Sequence, residues 1–266
     1  MNEIKYLIIP DIHGRTFWKK DLDATKYEKI IFLGDYLDPY DFEYISEEDA
    51  IENFKEIIKF KKDNRDKVVL LLGNHDIYYY AKKWGPSRYS RKHAKEIEKL
   101  FEENKGMFSL AYETKYDLYT HSGILQGWFD RVNKMRKTKY DLEPLELKAS
   151  NIDLLLSDID DCSDDMSLFD VSRMRGGNKN YGSCIWADVD EHDYNEEYKG
   201  KYQIFGHTLQ LNLKKYYETY YQEDIADGEP IITDKYAMLD CRHKFEYTVI
   251  EPEGTNEVQR HFDIIK

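Results

Sequence analysis

The sequence predicts an α/β fold on three observations: short apolar runs that end in polar turns, an amphipathic helical stretch joining two of them, and a strand-rich tail. Ile4 to Ile9, Lys29 to Leu33 and Val68 to Leu72 are short, almost wholly apolar and rich in β-branched residues. Such runs are expected of strands buried on both faces of a sheet. Each gives way to a turn carrying polar residues, PDIHG, GDYLD and GNHD in order.

Between the second and third runs, Ser46 to Asp63 places apolar residues at Ile51, Phe54, Ile57 and Ile58, the spacing of a helix with one buried face. Ser46 and Asp49 can form a capping box at its start. A second helical stretch, Lys92 to Glu103, sets Ala94, Ile97, Leu100 and Phe101 on one side. Asp117 to Thr120 then leads into HSG, and Tyr202 to Phe205 into GHT, again a strand before a polar turn. After Ile231 the segments IIT, YAMLD and FEYTVIE have strand character. The acidic run Ser157 to Asp170 is expected in a solvated loop or lid, and Trp18, Trp84, Trp128 and Trp186 in packed positions. No internal repeat or Pro/Gly/Ser-rich linker divides the 266 residues. One domain is therefore expected over 1–266, with a lid or insertion at about 124–200.

Composition narrows the function. The net charge is 39 − 52 = −13, whereas proteins that grip duplex nucleic acid concentrate positive charge to displace its counterions. Duplex nucleic acid is accordingly disfavoured as a partner, although Lys82 to Lys95 and Arg131 to Lys139 are locally basic. The three cysteines, Cys162, Cys184 and Cys241, are odd in number and include no CxxC. That argues against a disulfide framework and against a cysteine zinc site. The opening MNEIKYLIIPDIHG lacks the basic start and long apolar run of a signal peptide. No run approaches the roughly 18 apolar residues of a membrane span, so the expectation is a cytoplasmic protein with no membrane partner.

The chemistry is concentrated at five strand ends: DxH (Asp11, His13), GD (Gly34, Asp35), GNHD (Gly73 to Asp76), HSG (His121) and GH (Gly206, His207). Four of the eight histidines lie there, directly after apolar runs. In open α/β sheets ligands bind beyond the carboxyl ends of the strands, so these turns can converge. Asp, His and Asn together suit divalent metals of the Mn, Fe or Zn kind better than calcium. A carboxylate such as Asp35 can bridge two ions, and the glycines let the backbone turn sharply beside them.

Taken in order, DxHG, GDYxD, GNHD, HxG and GHT resemble the phosphoprotein phosphatase (serine/threonine phosphatase-like) branch of the calcineurin-like metallophosphoesterase superfamily. The resemblance is anchored over Ile4 to Gly123 and again at Gly206 to Thr208. It implies a four-layer sandwich, two mixed β-sheets packed face to face and flanked by helices. It further implies that Asp11 and His13 bind a first metal, that Asp35 bridges, and that Asn74, His121 and His207 bind a second. His75 would give a proton to the leaving alkoxide, with Asp38 orienting its imidazole. The nucleophile would be a hydroxide held between two divalent transition-metal ions, manganese foremost, with iron or zinc as alternatives. The implied reaction is hydrolysis of phosphomonoesters, on proteins or small molecules. A bis-nucleoside polyphosphate or other nucleotide hydrolase of the same superfamily is the second reading. A non-catalytic metal-binding scaffold is a third, against which the complete ligand set speaks.

Two departures bear on substrate. The family pattern continues GDxxDRG, with an arginine that grips phosphate, but Pro39 and Tyr40 stand here. A phosphate dianion still calls for a cation, best a guanidinium fork. SRMRGG offers Arg175 and, behind it, Arg173 as phosphate-binding residues. Diesterases of the superfamily end in GHxH, and Leu209 replaces that second histidine. With one aryl leaving group, the monoester should therefore be hydrolysed with the higher kcat/KM. Steady-state kinetics on the matched pair checks this, and the reverse order would place the chain with the diesterases.

Overall fold

The computed structural model describes residues 2–161, 167–194, 200–210, 228–251 and 258–265. In chain order its strands and helices are β1 (Asn2–Ile9), β2 (Lys29–Phe32), α1 (Glu47–Asp63), β3 (Val68–Leu71), α2 (Asp76–Tyr80), α3 (Ala94–Glu103), β4 (Phe108–Ser109), β5 (Ala111–Glu113) and β6 (Asp117–Thr120). There follow α4 (Gln126–Lys139), α5 (Ala149–Asp161), α6 (Val189–Tyr194), β7 (Tyr202–Phe205), β8 (Ile231–Ile232), β9 (Tyr236–Met238), β10 (Lys244–Glu251) and β11 (Gln259–Ile265). The fold is α/β, two mixed β-sheets with flanking helices. It divides into two compact units, residues 1–108 with 241–266, and residues 109–240. No described helix is long and apolar enough to cross a membrane.

The first unit is built on a six-stranded sheet in the order β11-β10-β1-β2-β3-β4. β1, β2 and β3 run parallel, with Ile9 opposite Phe32 and Phe32 opposite Leu70, while β10 is antiparallel to β1. That register matters for chemistry. Parallel neighbours end at the same edge, so the polar residues that follow each apolar run emerge side by side. α1 begins at Ser46, whose hydroxyl oxygen accepts from the Asp49 amide (3.0 Å) while donating to the Asp49 carboxylate (2.7 Å). Its apolar stripe, Ile51, Phe54, Ile57 and Ile58, is buried as the periodicity predicts. Phe54 stacks on Tyr36 (5.1 Å between centroids) and meets Phe101 at 4.9 Å, and Phe101 meets Phe108 at 5.0 Å. Tyr36 is wholly buried because its hydroxyl donates to the Leu71 carbonyl at 2.7 Å, which removes the cost of an unpaired polar group.

The second unit carries a five-stranded sheet, β5-β6-β7-β9-β8. β6 and β7 are parallel, with Tyr119 opposite Ile204, so the HSG and GHT turns also share one edge. Val189, Phe205, Tyr236 and Met238 pack together in its core. His192 is buried there, donating from Nε2 to the Ser122 carbonyl at 3.0 Å and stacking on Phe205 at 4.6 Å, a structural role.

Two expectations are corrected, and one strand lies beyond the segments named from the sequence. The acidic run is not a loop throughout: α5 continues to Asp161, and Ser167–Phe169 form a 3₁₀ turn, with 162–166 outside the described residues. At its end Asp170 is buried against Arg131 and Lys179, so partner charges on distant segments, not solvent, accommodate it. Trp84 is 74% exposed, with the Arg91 guanidinium over its ring, whereas Trp18 and Trp128 are buried. β11 was not foreseen, because its exposed and half-buried residues alternate and leave no apolar run to detect.

Candidate metal centre and acid–base pair

In the first unit the turns after β1 and β2 are bound to one another through the backbone. The amides of Ile12 and His13 both donate to the Asp35 carbonyl (3.1 and 2.7 Å), and Gly14 donates to Tyr36 (3.0 Å). Gly34 and Gly73 make the remaining approach possible. A Cβ on Gly34, which has φ of +112°, would lie 2.5 Å from the Gly73 amide nitrogen, and one on Gly73 would lie 2.1 Å from an Asp35 carboxylate oxygen. No side chain fits in either place.

Asp76, the last residue of GNHD, holds this junction. Its Oδ2 accepts from the amides of Asp35 (2.7 Å) and Gly73 (2.8 Å), and its Oδ1 from the amide of Tyr36 (3.0 Å). Burial, and then the nearby Asp35 carboxylate, push the Asp76 carboxyl well above its ordinary range, while the three amides oppose that shift. The GNHD motif alone does not disclose this anchoring role of Asp76. An acidic residue following GNH at the start of a short helix was the available signal.

Asp11, His13 and Asp35 are each buried and offer ligand atoms within 4.8 Å of one another. His13 Nδ1 donates to the Leu37 carbonyl at 2.8 Å, which leaves Nε2 unprotonated and aimed at Asp35 Oδ2 (3.4 Å) and Asp11 Oδ2 (4.0 Å). Burial, only partly opposed by Asp35, drives the His13 pKa well down, so the ring is neutral. A lone pair and two carboxylates converging in a buried space is an arrangement that a divalent cation relieves. An imidazole oriented by a hydrogen bond from its other ring nitrogen to a backbone carbonyl is common among metal-binding histidines. The donor set fits a metal. Asn74 is buried directly after Gly73. His13, Asp35 and Asp38 all have positive φ (42°, 51° and 57°), strain of the kind that clusters where geometry serves chemistry.

Beside these ligands, His75 Nδ1 lies 2.8 Å from Asp38 Oδ2, and the His75 amide donates to Asp35 Oδ1 at 2.9 Å. The other Asp38 oxygen accepts from the Tyr79 hydroxyl at 2.6 Å, and that hydroxyl accepts from the Ser90 amide. Tyr79 is thus a further support of the pair, invisible to spacing alone.

In the second unit, His121 and His207 are buried with His121 Nε2 and His207 Nδ1 3.1 Å apart. The parallel β6–β7 pairing sets this distance, reinforced by the Gly206 amide donating to the His121 carbonyl at 2.8 Å. His207 also has positive φ, 70°, and Trp186 lies edge-on to its ring at 5.8 Å. Two buried imidazoles this close could each offer a nitrogen to a metal ion. Arg173 and Arg175 lie on a 3₁₀ turn. Arg173 is exposed; Arg175 pairs through Nε with Asp188 (2.6 Å) and donates to the Thr208 hydroxyl (2.7 Å).

A family model described as Metallophos, calcineurin-like phosphoesterase, matches residues 4–211. The chain belongs to the calcineurin-like phosphoesterase family. Among solved structures, a metallophosphoesterase from Sphaerobacter thermophilus is similar at 11% identity and a TM-score of 0.39, over 98% of this chain and 88% of that one. No curated protein matches. As a calcineurin-like phosphoesterase, the chain is a hydrolase of phosphoric esters whose buried Asp and His groups can hold metal.

The Asp76 contacts generate a prediction about this phosphoesterase. Asp76→Asn should strand at least one buried amide, lowering stability by roughly 3 kcal/mol. It should also reduce metal content, because the turns bearing Asp35 and Asn74 lose their common anchor. Urea unfolding of metal-free protein, with elemental analysis of loaded protein, measures both. Wild-type values in each would remove Asp76 from this role.

Proposed function

We propose that this chain hydrolyses phosphomonoesters, on proteins or small molecules, using two divalent transition-metal ions, manganese foremost. The observation that carries the reading is the buried convergence of Asp11, His13 and Asp35 beside a His75–Asp38 pair. Asp11, His13 and Asp35 would hold one ion; Asp35, Asn74, His121 and His207 are the proposed ligands of the other. When bound, such ions supply Lewis-acid charge at a phosphoryl oxygen and lower the pKa of water.

The chain's own residues supply the rest. Asp38 accepts from His75 Nδ1 and fixes the plane of the imidazole, whose Nε2 is the proposed donor of a proton to the departing oxygen. Tyr79 fixes the second Asp38 oxygen and so the plane of the carboxylate. Arg175 and Arg173 are proposed to add positive charge for the phosphate. Leu209 supports the monoester over the diester reading, since no second histidine follows His207.

Chelation should abolish turnover, and Asp35→Asn should lower the content of both ions because one carboxylate is proposed to serve both. Elemental analysis beside activity checks this. Active protein without transition metal, or a fully active Asp35→Asn variant, would sink the reading.

His75→Asn should leave metal content near wild type while lowering turnover by roughly 10²–10⁴, the usual worth of a positioned general acid. The loss should be larger for alkyl phosphates than for nitrophenyl phosphate, whose leaving group departs as a stable anion. Rates on one ester of each kind decide the role. Equal losses on both would take His75 out of acid catalysis, and lost metal would make it a ligand.

A further inference from the structure

The loop between α2 and α3 brings Arg88 onto the acid–base pair. One terminal nitrogen donates to the Asp38 carbonyl at 2.6 Å, and the other lies 3.0 Å from His75 Nε2. The guanidinium carbon sits over the Tyr40 ring, 3.7 Å from its centroid. Tyr40 in turn stacks on Phe42 (5.1 Å) and meets the His13 imidazole edge-on (4.9 Å). An arginine only donates, so with Arg88 in this place Nε2 accepts from it, and Nε2 can act as a proton donor only once Arg88 has moved off it. Arg88 therefore stands where the oxygen of a departing group must come to meet His75.

Its charge is unusual in having only neutral company. Arg15 pairs with Glu43 (2.8 Å), Arg175 with Asp188 (2.6 Å) and Arg131 with Asp170. Among the described residues, Arg88 meets a carbonyl, an imidazole and an aromatic face, and forms no ion pair with a carboxylate. A half-buried guanidinium without an anion is poised to exchange a weak acceptor for a strong one. The loop that carries it is fixed in advance. Tyr89 stacks on Tyr79 at 4.3 Å, the Ser90 amide donates to the Tyr79 hydroxyl, and Arg88 itself is held at φ of +67°. Little ordering remains to be done when a ligand arrives.

The two departures in sequence then form one feature. Where an arginine would follow Asp38, Pro39 offers no charge, but the next residue, Tyr40, provides the shelf on which Arg88 rests. We propose that Arg88 is a substrate-phosphate-binding residue, which leaves His75 Nε2 for a phosphoryl oxygen and supplies the guanidinium that position 39 lacks. This rests on the phosphoesterase reading above.

Inorganic phosphate is the probe, titrated calorimetrically into metal-loaded wild type, Arg88→Ala and Arg88→Gln, and used as a competitor of aryl phosphate turnover. Metal content and melting temperature are measured alongside. Gln keeps a donor for the Asp38 carbonyl and removes the charge, so it serves if the Ala variant does not fold. Both variants should bind phosphate about ten- to a hundredfold more weakly at wild-type metal content. KM for the aryl monoester should rise, and Arg88→Lys should recover part of the loss because it restores charge without the fork. Tyr40→Leu should weaken phosphate in the same direction and Tyr40→Phe should not. Unchanged phosphate affinity in a folded Arg88→Gln protein overturns the proposal, including the case where only melting temperature falls and Arg88 merely staples its loop. A wild type that holds metal and binds phosphate yet hydrolyses no monoester overturns the proposed reaction instead, leaving the Arg88 comparison readable.

Discussion

Three backbone amides, those of Asp35, Tyr36 and Gly73, converge on the Asp76 carboxylate, and the ligand geometry of the first unit hangs on that junction. Two turns from neighbouring strands could not otherwise approach so closely. Each presents buried amides that need an acceptor, and the glycines that permit the approach remove the side chains that could have supplied one. Asp76 resolves both demands at once. With the turns fixed, the Asp35 carboxylate has no freedom to swing away from His13, and its Oδ1 is further pinned by the His75 amide.

The same device recurs in each unit. A pair of parallel strands ends in register, and the polar residue just past each end is thereby set beside its neighbour: Asp11 and Asp35 after β1 and β2, His121 and His207 after β6 and β7. Parallel pairing suits this because both carboxyl ends lie at one edge. The positive φ of His13, Asp35, Asp38 and His207 is the local cost of the sharp turns. Each such residue costs of order 1–3 kcal/mol, tolerated only where surrounding bonds leave the chain no alternative. The Leu37 carbonyl, the Asp76 carboxylate and the Gly206 amide are those bonds.

How much of this was legible in the sequence follows from how local each signal is. Strand ends were legible because an apolar run stops at Gly34, Gly73 or Gly206, adjacent to the polar residue of interest. α1 was legible because its stripe runs over about two turns and its cap, Ser46, directly precedes the helix. Features made by distant partners were not. Asp170 looked solvated because Arg131 and Lys179, which neutralise it, belong to other segments. β11 was missed because a half-exposed strand such as QRHFDII carries no apolar run, and its pairing with β10 is what makes it a strand. Arg88 was missed for the same reason: Asp38, whose carbonyl it meets, lies 50 residues away, and nothing in the spacing of a basic loop distinguishes this arginine from Arg91 or Lys92.

A guanidinium is judged by where its charge sits, not by which residue carries it. The arginine side chain is long enough to reach from a loop whose backbone lies well away from the reacting atoms, so a motif can lose its cation and the site can keep one. What the backbone position must provide is an aim. Here the aim comes from an aromatic shelf and a carbonyl acceptor, Tyr40 and Asp38, both within a residue or two of the motif's missing arginine. Those two contacts fix the plane and one edge of the fork and leave the remaining edge toward His75. A lysine on the same shelf would have a point charge but no plane for the ring to hold. The departure at Pro39 and the presence of an arginine at position 88 are therefore linked by geometry. The residue that makes the link is Tyr40, whose ring touches both the arginine and the His13 imidazole.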